Sequence, residues 1–329
     1  YMDIEDVMME ALALRDEKFP EYQGTPLMGG NPGDFPYFTP LERFTNSNSL
    51  VVCNIPGKEV VPEMGTDTVF NFYETDEFRE MCLLKQRLIE AGVMAYDYAT
   101  FETDPKLEPS TLLTSAWGYT WIDENLFFGD DCASKLVVFD EPWTDSNNYT
   151  TAMTAIGANS KNPERAMMVN ELMNSDPYLA TLMRFGVEGE HWEYDENGKM
   201  QLCNRNADTS NPGWLEWYGV AYGNLTIVNG PESYVGPDGI MLEKMAEYNN
   251  EAILAAHMGF VLDTSSITNE LSACANVISE YDYLIKGQVE SQDAVNQAVD
   301  DFVAKLKENG SEKIVAEVQA QIDAWVANK

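Results

Sequence analysis

Histidine and positive charge are what this chain has least of. Its 329 residues include two histidines, and 20 Lys+Arg stand against 55 Asp+Glu, for a formal net charge of −35. With only His191 and His257 present, little remains from which to build a histidine metal site or a Ser-His-Asp arrangement. A field of this sign repels phosphate backbones, so no nucleic-acid partner is expected. The five cysteines, Cys53, Cys82, Cys132, Cys203 and Cys274, are an odd number with no CxxC pair, which removes zinc ribbons and thioredoxin-type motifs. No apolar run approaches the ~20 residues of a membrane span. The longest, Leu50-Val51-Val52-Cys53 and Leu136-Val137-Val138-Phe139, have the length of buried strands. Walker A, GxGxxG, GxSxG and HExxH motifs are absent. No catalytic residue, metal or cofactor is therefore assigned.

The length suits roughly two domains, each with its own core. Short strand-like runs alternate with helical periodicity, which points to an α/β protein. Residues 4–18 read as a helix ending before Pro20. Strands are predicted at Leu50–Ile55, Val69–Tyr73, Lys135–Asp140, Ala152–Ala158 and Leu225–Asn229. A helix is predicted from Asp76 to about Ala91, capped by Thr75 and stopped by Gly92. Asn162-Pro163 and Asp176-Pro177 each place a capping side chain before a proline at the first helical position. Asn197-Gly198 separates His191–Glu196 from Lys199–Leu202 as a hairpin turn, a better account of Asp195-Glu196-Asn197-Gly198 than a calcium loop. From Ile240 onward the pattern is helical. Val295, Val299, Phe302 and Leu306 share one face, and Ile314, Val318, Ile322 and Trp325 another, with Asn309-Gly310 between. The polar, Pro-punctuated segment Asp140–Thr150 is the best crossing between lobes. His257, before Gly259, is read as a structural group complementing a helix end.

Tryptophan is unevenly spread. Six of seven, Trp117, Trp121, Trp143, Trp192, Trp214 and Trp217, fall within 101 residues, many beside Gly, Pro, Tyr or acids. Rings of this kind stack on the C–H faces of a sugar while acids and amides accept its hydroxyls; the competing reading is that they fill a core. The candidate ligand-binding residues are Trp117, Tyr119, Trp143, Trp192 and Trp217 as stacking groups and Glu188 as a hydroxyl acceptor. For Glu188 the alternative is a turn acid between Gly186 and Gly189.

The run Ala158-Asn159-Ser160-Lys161-Asn162-Pro163-Glu164-Arg165-Ala166-Met167, then Leu172-Met173-Asn174-Ser175-Asp176-Pro177, then Phe185-Gly186-Val187-Glu188-Gly189-Glu190-His191-Trp192, resembles the family 1 extracellular solute-binding proteins of ABC importers. Tyr222-Gly223-Asn224, Gly259-Phe260-Val261-Leu262-Asp263 and the closing Glu317–Trp325 resemble that family's helical C-terminal module. The likeness implies a type II periplasmic-binding-protein fold with two α/β lobes and a helical C-terminal region, lacking the first part of lobe one. On that frame, 1–145 is mostly second lobe, 146–186 crosses back to the first, and 187–329 is a hairpin plus the helical module. It further implies a monomeric, lipid-anchored receptor on the extracellular face, which closes on a sugar or oligosaccharide between its lobes and hands it to a membrane permease. The alternatives are a receptor of this fold for peptides or another small solute, a glycoside hydrolase, and a purely structural surface protein.

Overall fold

Four apolar positions repeating along each of the last two helices turn to a single interior, and much of the fold is organised by that interior. The computed structural model describes residues 2–20, 23–24, 26–27, 39–45, 48–96, 141–147, 154–202, 227 and 241–329, with the backbone alone for 2–4 and 241–245. The described chain divides into two packed units. The first comprises Tyr1–Trp117, Trp143–Asn147 and Ile253–Lys329; the second comprises Gly118–Pro142 and Asn148–Ala252. The chain thus passes between units at 117/118, 142/143, 147/148 and 252/253, and two of these passages fall inside the predicted crossing segment Asp140–Thr150.

The first unit opens with α1 (Met2–Lys18), the helix expected over 4–18. Strands β1 (Leu41–Arg43) and β2 (Val52–Asn54) pair antiparallel, Glu42 opposite Cys53. The strand predicted at Val69–Tyr73 is reduced to one bridge between Phe70 and Val52, followed by a 3-10 turn at Phe72–Glu74. The reason is local: the Asn71 side chain accepts the Tyr73 N–H and bends the backbone out of the ladder. Helix α2 (Asp76–Glu90) starts as expected, with the Thr75 hydroxyl accepting the Phe78 N–H at 3.2 Å, and ends before Gly92 at φ 81°. Among the described residues the next element after it is β3 (Trp143–Thr144).

The remaining elements of this unit are β6 (Ile253–Leu254), α6 (Thr268–Glu280), α7 (Asp282–Ile285), α8 (Gln292–Glu308) and α9 (Ser311–Ala327). Val295, Val299, Phe302 and Leu306 are buried, as are Ile314, Val318 and Ile322, while Trp325 packs against them half-buried. Together with Leu41, Val52, Phe72, Phe78 and Cys82 they form one core, so the first quarter and last quarter of the chain share an interior. Side-chain ties reinforce it. Gln319 accepts the Val69 N–H at 2.8 Å and donates to the Asp67 carbonyl at 3.1 Å. The buried Lys85 ammonium donates to the Ile285 carbonyl at 2.9 Å, at the end of α7.

The second unit contains α3 (Pro163–Ser175), α4 (Pro177–Phe185), β4 (Trp192–Tyr194), β5 (Met200–Leu202) and α5 (Met241–Glu251). Both prolines occupy the first turn as expected, but only one cap forms. Asp176 Oδ1 accepts the Leu179 N–H at 3.0 Å, whereas the Asn162 side chain makes no capping bond. The hairpin forms as predicted, with Trp192 opposite Leu202 and Tyr194 opposite Met200. Asp195 Oδ1 accepts the N–H groups of Asn197 and Lys199, each at 2.8 Å, and Gly198 supplies the positive φ of 77°. Those bonds hold the Asp195 carboxyl below its usual range. Residues 154–157 of the expected Ala152–Ala158 strand have no regular structure. Ala152 and Met153, the strand expected at Lys135–Asp140, and Leu225–Asn229 apart from Ile227 lie outside the described residues.

Two outcomes follow from local bonds in these units. Arg87 on α2 makes a bidentate bond to Glu5 on α1, with both distances 2.8 Å, and this holds the Glu5 carboxyl below its ordinary value. A depressed folded-state value means the contribution is fully present above the unfolded carboxylate value of about 4.3 and is lost as pH falls through the folded one. Glu5→Gln is expected to cost at most about 1 kcal/mol at neutral pH, a difference that closes on acidification, as read by denaturation followed with circular dichroism. The second outcome concerns Trp192, which is buried against Phe185 and Met200 and donates its indole N–H to the Gly186 carbonyl at 3.1 Å. Trp192→Phe keeps a ring there but orphans that carbonyl, with an expected loss of about 1–2 kcal/mol in the same measurement.

Candidate functional site

Of the six residues the sequence singles out for a ligand, the structure describes Trp143, Glu188 and Trp192. Trp117, Tyr119 and Trp217 lie outside the described residues. Trp192 is corrected. It is 6% exposed, its N–H is committed to Gly186, and its ring meets Tyr194 edge-on at 5.2 Å, so it fills a hairpin core instead of presenting a face for stacking. Glu188 is exposed at the turn leading into β4, bridged through its backbone to Trp192. Its side chain has no hydrogen bond or ion pair among the described residues, and it stays open to solvent. The turn is built by its neighbours: His191 Nδ1 accepts the Val187 N–H at 3.0 Å, and the Gly189 N–H donates to the Trp192 carbonyl at 2.7 Å. Glu188 and Trp192 thus sit in one loop of the second unit, whereas Trp143 belongs to the first.

Trp143 is half-buried on β3, which pairs parallel with β6, Trp143 opposite Ile253 and Thr144 opposite Leu254. Both strands adjoin a passage between units, since 142/143 and 252/253 are boundaries. A parallel ladder two residues long cannot hold itself, and polar side chains around it supply the rest. Asp145, 3% exposed, accepts the Arg43 N–H at 3.2 Å through Oδ2 and the Asn147 N–H at 3.0 Å through Oδ1. Asn147 Nδ2 donates to the Arg43 carbonyl at 2.6 Å, so both main-chain groups of Arg43 are engaged by side chains. The Glu42 carboxylate, 2% exposed, accepts the His257 N–H at 3.2 Å and lies 2.8 Å from His257 Nδ1.

His257 is therefore structural, as expected, but for a different reason. No described helix ends at it; a buried carboxylate holds it, with Phe44 and Trp325 rings 5.8 and 6.3 Å away. Its Nε2 has no hydrogen-bond partner, Asp67 Oδ1 being 3.6 Å distant. Neither Glu42 nor Asp145 carries a local sign in the sequence, because one acid among 55 makes no pattern. No metal-ligating group of three occurs among the described residues. The free thiols of Cys53, Cys82 and Cys274 are buried, and burial pushes that of Cys82 up to about 12, which keeps it from acting as a nucleophile. No helix among the described residues is long and apolar enough to cross a membrane.

Residues 256–327 match a family model described as a domain of unknown function (DUF3502). A carbohydrate ABC transporter substrate-binding protein of Streptococcus pneumoniae serotype 4 is 28% identical over 278 residues, covering 81% of this chain and 53% of the relative. The chain thus spans about half the length of that curated relative. The crystal structure of the N-glycan transport solute binding protein NgtS from Streptococcus pneumoniae matches with a TM-score of 0.69 at 22% identity, over 98% of this chain and 68% of that one. Its complex with Man5GlcNAc matches at 0.66 and 22% identity, over 99% and 68%. The resemblance read from residues 158–192 points to the same kind of protein. Mixed α/β with a helical C-terminal region, the chain has the fold of these solute-binding proteins.

Proposed function

We propose that this chain is the ligand-capturing part of an ABC importer's substrate-binding component, that it takes a sugar or oligosaccharide and delivers it to a membrane permease, and that it catalyses nothing. The observation carrying this is the joint likeness to a carbohydrate substrate-binding protein in sequence and to NgtS in fold over nearly the whole chain. The physical basis is the aromatic and acidic make-up of residues 117–217. A neutral polyol has no charge to pair, so it is held by ring faces against its C–H surfaces and by acceptors for its hydroxyls. Trp117, Tyr119, Trp143 and Trp217 are the proposed stacking groups and Glu188 the proposed acceptor, with Trp192 supporting the Glu188 loop from beneath. The receptor acts as a monomer on the extracellular face of the membrane, lipid-anchored and without a nucleic-acid partner. A net charge of −35 suits a solvated surface in that setting.

A thermal-shift series against monosaccharides, Man5GlcNAc and short peptides, with product analysis of each mixture, tests the reading. A ligand at 100 times its dissociation constant is expected to add ~2.7 kcal/mol. Stabilisation by a sugar that is recovered intact is the expected result. Shortened sugars would make the protein a hydrolase, stabilisation by peptides alone would move it to another ligand class, and no stabilisation by any solute would leave a structural surface protein.

A further inference from the structure

The polar ties around β3 and β6 are unlike those elsewhere in the first unit. Each involves a residue of two segments that adjoin passages between the units, 143–147 and 253–259. The segments bind each other, the Ala255 N–H to the Thr144 carbonyl at 2.9 Å and the Gly259 N–H to Ser146 Oγ at 2.9 Å. Both also bind β1, through Asp145 and Asn147 on Arg43 and through Glu42 on His257. β1 in turn is fixed by β2 and the shared core.

Burying the Glu42 and Asp145 carboxyls is costly unless each is fully bonded, and an apolar filling would hold a core as well. What charged acceptors add is direction: they hold particular N–H groups at particular places. We infer that Glu42 and Asp145 are positioning residues that weld 143–147 and 253–259 into one rigid stem on the first unit. The stem then keeps its own internal geometry when ligand binds. The inference rests on the receptor reading for its use, though not for the existence of the stem.

Hydrogen exchange read by mass spectrometry on the full chain tests it, with peptides covering 41–45, 143–147 and 253–260 compared with α9. In the unmutated protein these peptides are protected. Glu42→Ala is expected to speed exchange across 253–260 by about tenfold or more, with α9 unchanged. Glu42→Gln restores protection, because its amide oxygen still accepts the His257 N–H while its nitrogen can pair with Nδ1. Ser146→Ala, which removes the Gly259 tie, speeds the same peptide and keeps the test open should Glu42→Ala not fold. With Man5GlcNAc added, exchange of 253–260, which holds no proposed ligand contact, is unchanged while other segments respond. An unprotected stem, a Glu42→Ala effect that is absent or equally large in α9, or a 253–260 peptide that gains protection with the sugar would each overturn the inference. If Man5GlcNAc does not bind at all, that result counts against the receptor reading for this sugar, and the exchange of the variants still decides the stem.

Discussion

The ring of Phe302 is where the two ends of the chain are joined. It stacks on Tyr281 at 5.0 Å and meets Tyr73 at 5.1 Å and Phe78 at 6.0 Å, tilted against both. Tyr73 and Phe78 come from the first quarter of the chain, Tyr281 and Phe302 from the last. Offset and edge-on aromatic contacts of this kind add to the gain from burial alone, and they fix the angle at which α8 lies on α2. The Tyr73 hydroxyl is occupied as well, accepting the Ser49 N–H at 3.2 Å, and burial pushes it up to about 12.

With that core in place, the rest of the first unit follows. The short β1–β2 pair packs into it through Leu41, Val52 and Cys53, and Phe260 brings the chain after β6 back to it beside Phe44 and Trp325. β1 is then a fixed edge on which Glu42 and the groups of Arg43 can be bonded, and the stem strands dock there. The second unit's hairpin is held separately, by Phe185, Trp192 and Met200. On the proposed receptor reading such rigid parts have a use, since ligand affinity depends on groups being placed before the ligand arrives. The polar stem supplies direction, and the aromatic core supplies the stability that lets buried carboxyls be tolerated.

The sequence disclosed the elements whose causes are local. Thr75 and Asp176 cap helices because a side-chain oxygen two or three residues upstream is enough. Asn197-Gly198 turns the hairpin because glycine accepts a positive φ. The faces of α8 and α9 were legible because helical spacing writes them out. Which bonds a given side chain makes stayed hidden. Asn162 looks like a cap yet makes no such bond, and Val69–Tyr73 looks like a strand until Asn71 bends it. Of the candidate site, Trp192 proved to be a core ring because Gly186, six residues before it, takes its N–H. Glu42 and Asp145 were not seen at all, since their partners lie 215 and 102 residues away in sequence.

The account turns on one interior being common to both ends of the chain, and Phe302→Ala addresses it most directly. Emptying that position is expected to cost about 3–5 kcal/mol. Hydrogen exchange of the variant is predicted to quicken together in residues 41–90 and 292–327, with the hairpin at 192–202 unaffected. Quickening confined to 292–327, with 41–90 as protected as before, would show that the C-terminal helices are a separate body and would contradict the account.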